Sequence, residues 1–291
     1  MKVDFHCHTT ASDGGLTPHE IIDLAIKYEV TTMAITDHDT TAGYENALDY
    51  ANQNGIQLIT GVEASCQWNG HTIHIVGLDF DLTNDDLQNG LARIRSMREE
   101  RARAILSKMN DKPHIKIENL DNKLWDLVGE GVVGRGHFAQ LLQQEGLVKN
   151  AQQAFERYLK KGKAAYVASE WPELETVVQW ITQANGIAVI AHPGIYKFTS
   201  NKLNRLITDF KAAGGQAIEV VNQPRHSSDI TGMAQRAVTH QLYASMGSDF
   251  HRLEHTWRGL GWLAPMPSNV EPVWQLFKEP LKDSEYSVTK P

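Results

Sequence analysis

Short β-branched runs separated by helical patterns are the feature that most restricts the fold of this chain. Seven such runs are predicted as strands: Val3 to His6, Thr32 to Thr36, Gln57 to Val62, Thr72 to Leu78, Ile187 to Ala191, Ala217 to Val221 and Leu242 to Met246. A helix is predicted from Pro18 to Tyr28, with Thr17 as its N-cap and Pro18 at its first position. Strands that alternate with helices predict an α/β fold with a largely parallel sheet. Seven of them suggest a barrel of the (β/α) kind.

The alternation stops between residues 85 and 167, which we call the helical insertion. This part is charged, with an arginine-rich segment (RIRSMREERARAILSKMN) and a glycine-rich break at 129–136. We expect an all-helical cap over one end of a barrel domain formed by residues 1–84 and 168–291. The arginine-rich segment is expected to be a solvated helix face, since charge runs commonly lie in solvent. The polar tail from Lys278 to Pro291 is expected to fray.

Almost every predicted strand ends in a side chain that can bind a metal. The candidate ligands are His6, His8, Asp13, His38, Glu63, His74, His192, Asp249 and His251. The carboxyl ends of barrel strands form one face, so these groups are expected to converge. Imidazoles with carboxylates suit Zn, Mn or Fe better than Mg or Ca alone. His71 precedes His74 by three residues, on the opposite face of its strand, and is not expected to be a ligand.

Charge and composition exclude several other classes of protein. The net charge of −7 argues against stable binding of duplex DNA, which usually requires a basic face. Two cysteines are too few for a disulfide framework and favour a reducing compartment. The N-terminus lacks the apolar core of a signal peptide, and no run is long enough to span a membrane. We therefore expect a cytoplasmic protein.

Six motifs resemble the signatures of the PHP (polymerase and histidinol phosphatase) metal-dependent phosphoesterases. They are HCHTTASDG, ITDHDT, GVEAS, HIVGL, AHPG and GSDFH, and they occur in the family's order and spacing. Within the insertion, VVGRGHFAQLL and YLKKGKAAYV resemble a subfamily that hydrolyses nucleoside 3′,5′-bisphosphates and includes a 5′→3′ exoribonuclease.

The resemblance implies a distorted (β/α)7 barrel that holds three metal ions, commonly Mn, with Fe, Zn and Mg as alternatives. It implies one metal on His6, His8, Glu63 and Asp249, a second on Glu63, His74 and His192, and a third on Asp13, His38 and His251. Arg135 and His137 match positions that bind substrate phosphate, and His226 is a weaker candidate for that role. Asp37 and Asp39 flank a ligand and are expected to orient imidazoles.

The chemistry expected from this site is attack by a metal-bound hydroxide held by Glu63, Asp249 and His192. The expected substrates are nucleoside 3′,5′-bisphosphates, cleaved to the 5′-monophosphate and phosphate, and RNA 5′ ends cleaved one nucleotide at a time. Two alternatives stay open. One is a phosphatase of a small metabolite such as histidinol phosphate, and the other is a non-catalytic metal-binding module.

Overall fold

The computed structural model describes residues 2–254 and 257–281, and within them the α/β class is confirmed. The strands are β1 (Val3–Asp4), β2 (Thr32–Ala34), β3 (Gln57–Ile59), β4 (Gly61–Trp68), β5 (His71–Leu78), β6 (Ile187–Ile190), β7 (Ala217–Val221) and β8 (Tyr243–Met246). They pair as a three-stranded sheet, in the order β1-β2-β3, and a five-stranded sheet, in the order β4-β5-β6-β7-β8.

The helices are α1 (Pro18–Lys27), α2 (Ala42–Gln53), α3 (Asp85–Asn110), α4 (Leu120–Val128), α5 (Arg135–Gln144), α6 (Ala151–Ala154), α7 (Leu174–Gln183), α8 (Ser200–Ala212) and α9 (Ser228–His240). The predicted start of α1 is confirmed. The Thr17 side chain accepts a hydrogen bond from the Glu20 backbone, and the Glu20 carboxylate in turn accepts one from the Thr17 backbone. This reciprocal cap satisfies two N–H groups that the helix itself leaves unpaired.

The strand predictions were wrong at one point, the run from Gln57 to Val62. It divides into β3 and the start of β4, and β4 continues to Trp68. β4 and β5 form an antiparallel hairpin, and β5 is also antiparallel to β6, so the larger sheet is mixed and not largely parallel. Polar residues alternate with apolar ones along β4, which lets one face of this strand carry Glu63 and Ser65 while the other packs in the core.

Backbone hydrogen bonds join the edges of the two sheets. Phe5 N–H donates to the Met246 carbonyl at 3.0 Å, which sets β1 beside β8. Asp39 N–H donates to the Glu63 carbonyl at 3.0 Å, which sets the segment after β2 beside β4. These bonds bring together the chain segments that carry the candidate ligands.

Residues 85–167 contain helices and no strand. Eighteen buried residues between Ala102 and Ala165 form an apolar cluster of their own, separate from the core around the large sheet. The expectation of a solvated arginine face holds for Arg93 and Arg103, which are exposed. It is wrong for Arg98, which is buried because it pairs with the buried carboxylate of Asp39 at 2.5 Å.

In the part of the chain that the structure describes, no helix has both the length and the apolar content to cross a membrane. The predicted fraying of the tail falls mainly on residues 282–291, which lie outside the described residues.

Candidate metal centre

All nine candidate ligands lie together, although they come from six separate parts of the chain. Their side chains form four overlapping groups whose ligand atoms lie within 4.8 Å of one another. The groups are His6, His8 and Asp249; His6, Glu63 and His192; His38, Glu63 and His74; and His8, Asp13, His38 and His251.

The innermost atoms are spaced as ligands of one small cation would be. His6 Nε2 lies 3.2 Å from His8 Nε2. Glu63 Oε2 lies 3.5 Å from the first of these nitrogens and 3.3 Å from the second, and Asp249 Oδ1 lies 3.6 and 3.5 Å from them. Four ligands arranged tetrahedrally about 2.1 Å from an ion are about 3.4 Å apart. The two imidazole nitrogens, taken with either carboxylate oxygen, therefore have the spacing of ligands in one coordination shell.

Glu63 faces two sets of histidines with its two carboxylate oxygens. Oε1 lies 3.0 Å from His74 Nδ1 and 2.8 Å from His192 Nε2. Oε2 faces His6 and His8, and also lies 2.9 Å from His38 Nδ1. A carboxylate so placed can bridge two cations.

The remaining group surrounds Asp13. Its Oδ1 lies 3.4 Å from His251 Nε2 and 3.9 Å from His38 Nε2. The His8 and His251 rings stack, with their centroids 4.1 Å apart, so this group adjoins the innermost one.

Several of these buried atoms form no hydrogen bond with the described residues. They are Asp13 Oδ1, Glu63 Oε2, His38 Nδ1 and His192 Nδ1. Buried polar atoms without partners are costly and therefore rare. A divalent cation would satisfy the first three of these atoms, which face one another in the centre, so the residues present fit a metal site.

Charge in the centre is balanced between carboxylates and imidazoles. Burial alone would raise the pKa of Glu63, but the imidazoles of His74 and His38 hold that pKa well below its usual value. Burial also opposes the charging of His8, yet its contacts with Asp249 and Glu63 raise the pKa of His8 to about 10. Burial lowers the pKa of His38 to about 4, which favours the neutral imidazole that metals require.

Glu219 on β7, which the sequence analysis missed, is the carboxylate that orients the His6 imidazole and holds the His192 backbone. Its Oε1 lies 2.5 Å from His6 Nδ1, and its Oε2 accepts the His192 backbone N–H at 2.5 Å. A carboxylate on the far nitrogen of a ligand histidine fixes the ring and its tautomer. The available signal was an acidic residue inside the apolar run AIEVV.

The sequence analysis expected Asp37 and Asp39 to orient imidazoles, and direct contact with an imidazole was wrong for both. Asp37 accepts hydrogen bonds from the backbone and hydroxyl of Thr9 and from the Ser12 hydroxyl, which lies 3.4 Å from His8 Nδ1. Asp39 accepts from Ser65 and Arg98. Among the described residues, neither carboxylate bonds to an imidazole; both fix the loops that carry the ligands.

A second residue missed by the sequence analysis is Arg258. One of its terminal nitrogens contacts Asp249 Oδ2, and the same nitrogen donates to the Asp249 carbonyl at 3.2 Å. Asp249 has a positive φ of 53°, so its backbone also lies in the left-handed region. The guanidinium thus holds one carboxylate oxygen while the other faces His6 and His8.

A cavity of about 150 Å³, which we call the insertion cavity, opens between the centre and the helical insertion. Asp13, His38 and His74 line its floor, and Arg98, Arg101 and Arg135 line its sides. Burial lowers the pKa of Arg101 to about 10, and Arg135 and Arg98 act in the same direction. In the ranges 2–254 and 257–281, only Arg98 of the three pairs with a carboxylate. The cavity therefore carries excess positive charge.

The three predicted phosphate contacts lie in different places. Arg135 lines the insertion cavity, with its guanidinium 5.6 Å from the centre of the Phe155 ring. His137 is buried and lines a different cavity; its Nδ1 accepts the Gly134 backbone N–H at 3.1 Å. His226 is exposed in the loop after β7. Arg135 shares its cavity with the candidate ligands Asp13, His38 and His74. Burial lowers the pKa of His137 and the nearby Asp13 carboxylate opposes this, so His137 also lies near a candidate ligand. His226 lines neither of these two cavities.

Comparison with known proteins agrees with this geometry. The domain family described as PHP domain matches residues 4–170. The 3′,5′-nucleoside bisphosphate phosphatase of Chromobacterium violaceum is 40% identical over 274 residues, which cover 94% of this chain and 95% of that protein. The 5′-3′ exoribonuclease Rnm of Escherichia coli is 38% identical over 284 residues, covering 97% of this chain and 96% of that protein.

Two solved structures have a similar fold over nearly the whole chain. The structure of a Chromobacterium violaceum protein described as an amidohydrolase, with bound sulfate, superposes with a TM-score of 0.87 at 40% identity, covering 94% of this chain and 95% of that one. A Bifidobacterium adolescentis protein assigned as a metal-dependent phosphoesterase gives a TM-score of 0.77 at 25% identity, covering 93% and 92%. The family match covers more than half of the chain, and the relatives match nearly all of it. This chain belongs to the PHP domain family.

Proposed function

We propose that this protein is a divalent-metal phosphoesterase that hydrolyses nucleoside 3′,5′-bisphosphates and removes nucleotides from RNA 5′ ends. The observation that carries the proposal is a set of nine converging imidazoles and carboxylates beside an arginine-lined cavity. Relatives named as a bisphosphate phosphatase and an exoribonuclease support both substrates. A phosphate ester at the centre with a second phosphate in the cavity would satisfy both features.

The proposed ligands divide among three cations. His6, His8, Glu63 and Asp249 would hold the first, Glu63, His74 and His192 the second, and Asp13, His38 and His251 the third. We favour Mn, with Fe, Zn and Mg as alternatives. Bound cations of this kind lower the pKa of water and stabilise charge on the attacking and leaving oxygens. Glu219 and Arg258 support the proposal because they fix the His6 ring and the Asp249 carboxylate, which would hold the first cation.

The insertion supplies the grip on the second phosphate. We assign this role to Arg135 and extend it to Arg101, since both guanidiniums face the cavity. Water attacks the phosphorus of the 3′-phosphate, the bond between phosphorus and O3′ breaks, and O3′ takes up a proton. The products are the 5′-monophosphate and phosphate. We further propose that the two sheets form a distorted (β/α)7 barrel, residues 1–84 and 168–291, with residues 85–167 as its cap.

The test compares two substrates that differ by one phosphate. We expect Arg135→Ala to lower kcat/KM for adenosine 3′,5′-bisphosphate by roughly 10- to 100-fold, the value of a lost charge-assisted hydrogen bond. Adenosine 3′-monophosphate lacks the second phosphate and should be hydrolysed almost as before. Arg205→Ala, at an exposed position on α8, is the matched control.

Unchanged turnover of the bisphosphate by Arg135→Ala would contradict the role of Arg135. Histidinol phosphate belongs in the same panel, because a clear preference for it would favour a small-metabolite phosphatase. Absence of any turnover with Mn added would favour a non-catalytic metal-binding module.

A further inference from the structure

The part of an RNA substrate downstream of the scissile bond must extend away from the metal centre, whereas a bisphosphate has no such part. In the bisphosphate, the 3′-phosphate ends the molecule. In RNA, the same phosphorus carries a second ester oxygen that joins it to the next nucleotide. If the 5′-phosphate lies in the insertion cavity, the downstream chain must continue away from that cavity.

A second large cavity begins on the other side of the proposed ligands. It measures about 370 Å³ and is formed by the loops after β6, β7 and β8 together with α9; we call it the β6–β8 cavity. Glu219 and Arg258 line it, and these residues contact His6 and Asp249. The insertion cavity instead adjoins His38, His74 and Asp13. The centre therefore lies between the two cavities.

The lining of the β6–β8 cavity suits an unpaired nucleotide. Trp257 is 64% exposed and Ile195 is 50% exposed, so both present apolar surface to solvent at the rim. Asn222 and Gln223 add amide groups, and Arg225 is exposed on the same loop. Single-strand binding sites combine aromatic rings that stack on bases with cations that follow the backbone. A volume above about 300 Å³ is in the usual range for a small-molecule site.

A third cavity, of about 310 Å³ and lined by Thr10, His137 and Arg252, is the competing route. Its described lining has no Trp, Tyr or Phe ring. Its His137 ring is buried, so this cavity lacks the exposed aromatic ring that Trp257 provides at the β6–β8 cavity.

We propose that the β6–β8 cavity binds the nucleotide downstream of the scissile bond in an RNA substrate, with Trp257 stacked on its base and Arg225 beside its phosphate. The inference rests on the proposed function. It gives Trp257 a role in RNA cleavage that it does not have in bisphosphate hydrolysis.

The experiment compares the two substrates in one set of variants. We expect Trp257→Ala to lower kcat/KM for a 5′-phosphorylated tetraribonucleotide by about 5- to 100-fold, as loss of a base–aromatic stack predicts. Turnover of adenosine 3′,5′-bisphosphate should stay within about twofold, which also shows that the variant is folded. Trp257→Phe should retain most RNA cleavage. Trp262→Ala, at a tryptophan that is 53% exposed and is not among the residues that line the cavity, is the matched control.

Equal losses on both substrates would overturn the inference, because the cavity would then serve the first nucleotide. No loss on either would also overturn it. If the wild-type protein hydrolyses the bisphosphate but no RNA, the inference falls while the phosphatase activity stands. If it hydrolyses neither, the proposed function itself fails.

A cross-link gives an independent measure of the route. The probe is a 5′-phosphorylated oligoribonucleotide with a phosphorothioate at its first linkage and 4-thiouridine at its second position. Attachment to residues 222–227 or to Trp257 supports the proposal. Attachment to residues 127–140 or 252–254 assigns the downstream chain to the competing cavity.

Discussion

Glu219 is a buried carboxylate on β7 that touches the centre without belonging to the proposed ligand set. It bonds to the His6 ring and to the His192 backbone. We expect Glu219→Gln to weaken metal affinity by about 10- to 100-fold, since the amide cannot hold the imidazole as a carboxylate does. Titration of Mn against a fluorescent chelator measures this change. Glu118→Gln, at an exposed position, is the control, and equal affinities in the two variants would contradict the role of Glu219.

Residue chemistry explains which parts of the centre were predictable. His6 and His8 are two apart in extended chain, and Asp249 and His251 repeat that spacing, so the pattern could be seen without a structure. Glu219 and Arg258 could not be assigned in the same way. Their roles depend on contacts with residues 213 and 9 positions away, which only the folded chain defines.

At the scale of elements, the first turn of α5 packs directly against the centre. A Cβ added at Gly136 would lie 2.6 Å from Asp13 Oδ2, whereas one added at Gly232 in α9 would meet only Arg236 Nη1 at 3.4 Å. Alanine favours helix over glycine by about 1 kcal/mol in both places. We therefore expect Gly232→Ala to stabilise the protein, while Gly136→Ala displaces Asp13 and reduces the number of bound metals.

Metal content by mass spectrometry, together with urea unfolding, checks this pair. Full metal content in Gly136→Ala would show that Asp13 can move without loss of metal.

The glycine-rich break was visible in the sequence, but the reason for a glycine at position 136 was not, because the contact joins α5 to the loop after β1. The sequence analysis ended the predicted strand at Val62, whereas β4 continues to Trp68. Its alternation of polar and apolar residues marks a strand, and the polar face is the one that carries Glu63.

The pair Arg98 and Asp39 ties α3 to the segment that carries His38. Both side chains are buried, and the guanidinium also donates to Ser65 Oγ at 2.9 Å. Breaking a buried ion pair from one side leaves an uncompensated charge and costs about 3–5 kcal/mol. We expect Arg98→Met to lower the free energy of unfolding by that amount, and Arg98→Met with Asp39→Asn to recover part of it. Urea unfolding of these two variants and of Asp39→Asn alone measures the coupling, and additive losses would contradict it.

At the scale of the whole molecule, the centre joins the two sheets, because its proposed ligands follow or belong to β1, β2, β4, β5, β6 and β8. An ion that binds only the folded chain stabilises it by about 2.7 kcal/mol at 100 times its dissociation constant. For a chain of this size, that raises Tm by roughly 4 to 5 °C. We expect the Tm of chelator-treated protein to rise with added Mn.

The variant Glu63→Gln separates this effect from non-specific salt stabilisation. Glu63 contacts three imidazoles through Oε2 and two through Oε1. The change to glutamine therefore removes a negative charge that five histidines share. Its Tm should respond little to Mn, and it should lose activity on every phosphate ester. A wild-type Tm that is independent of Mn, or a variant that responds as the wild type does, would mean that the convergence of these ligands does not create a metal site. Because all nine side chains meet only in the native fold, metal affinity and folding stability should rise and fall together.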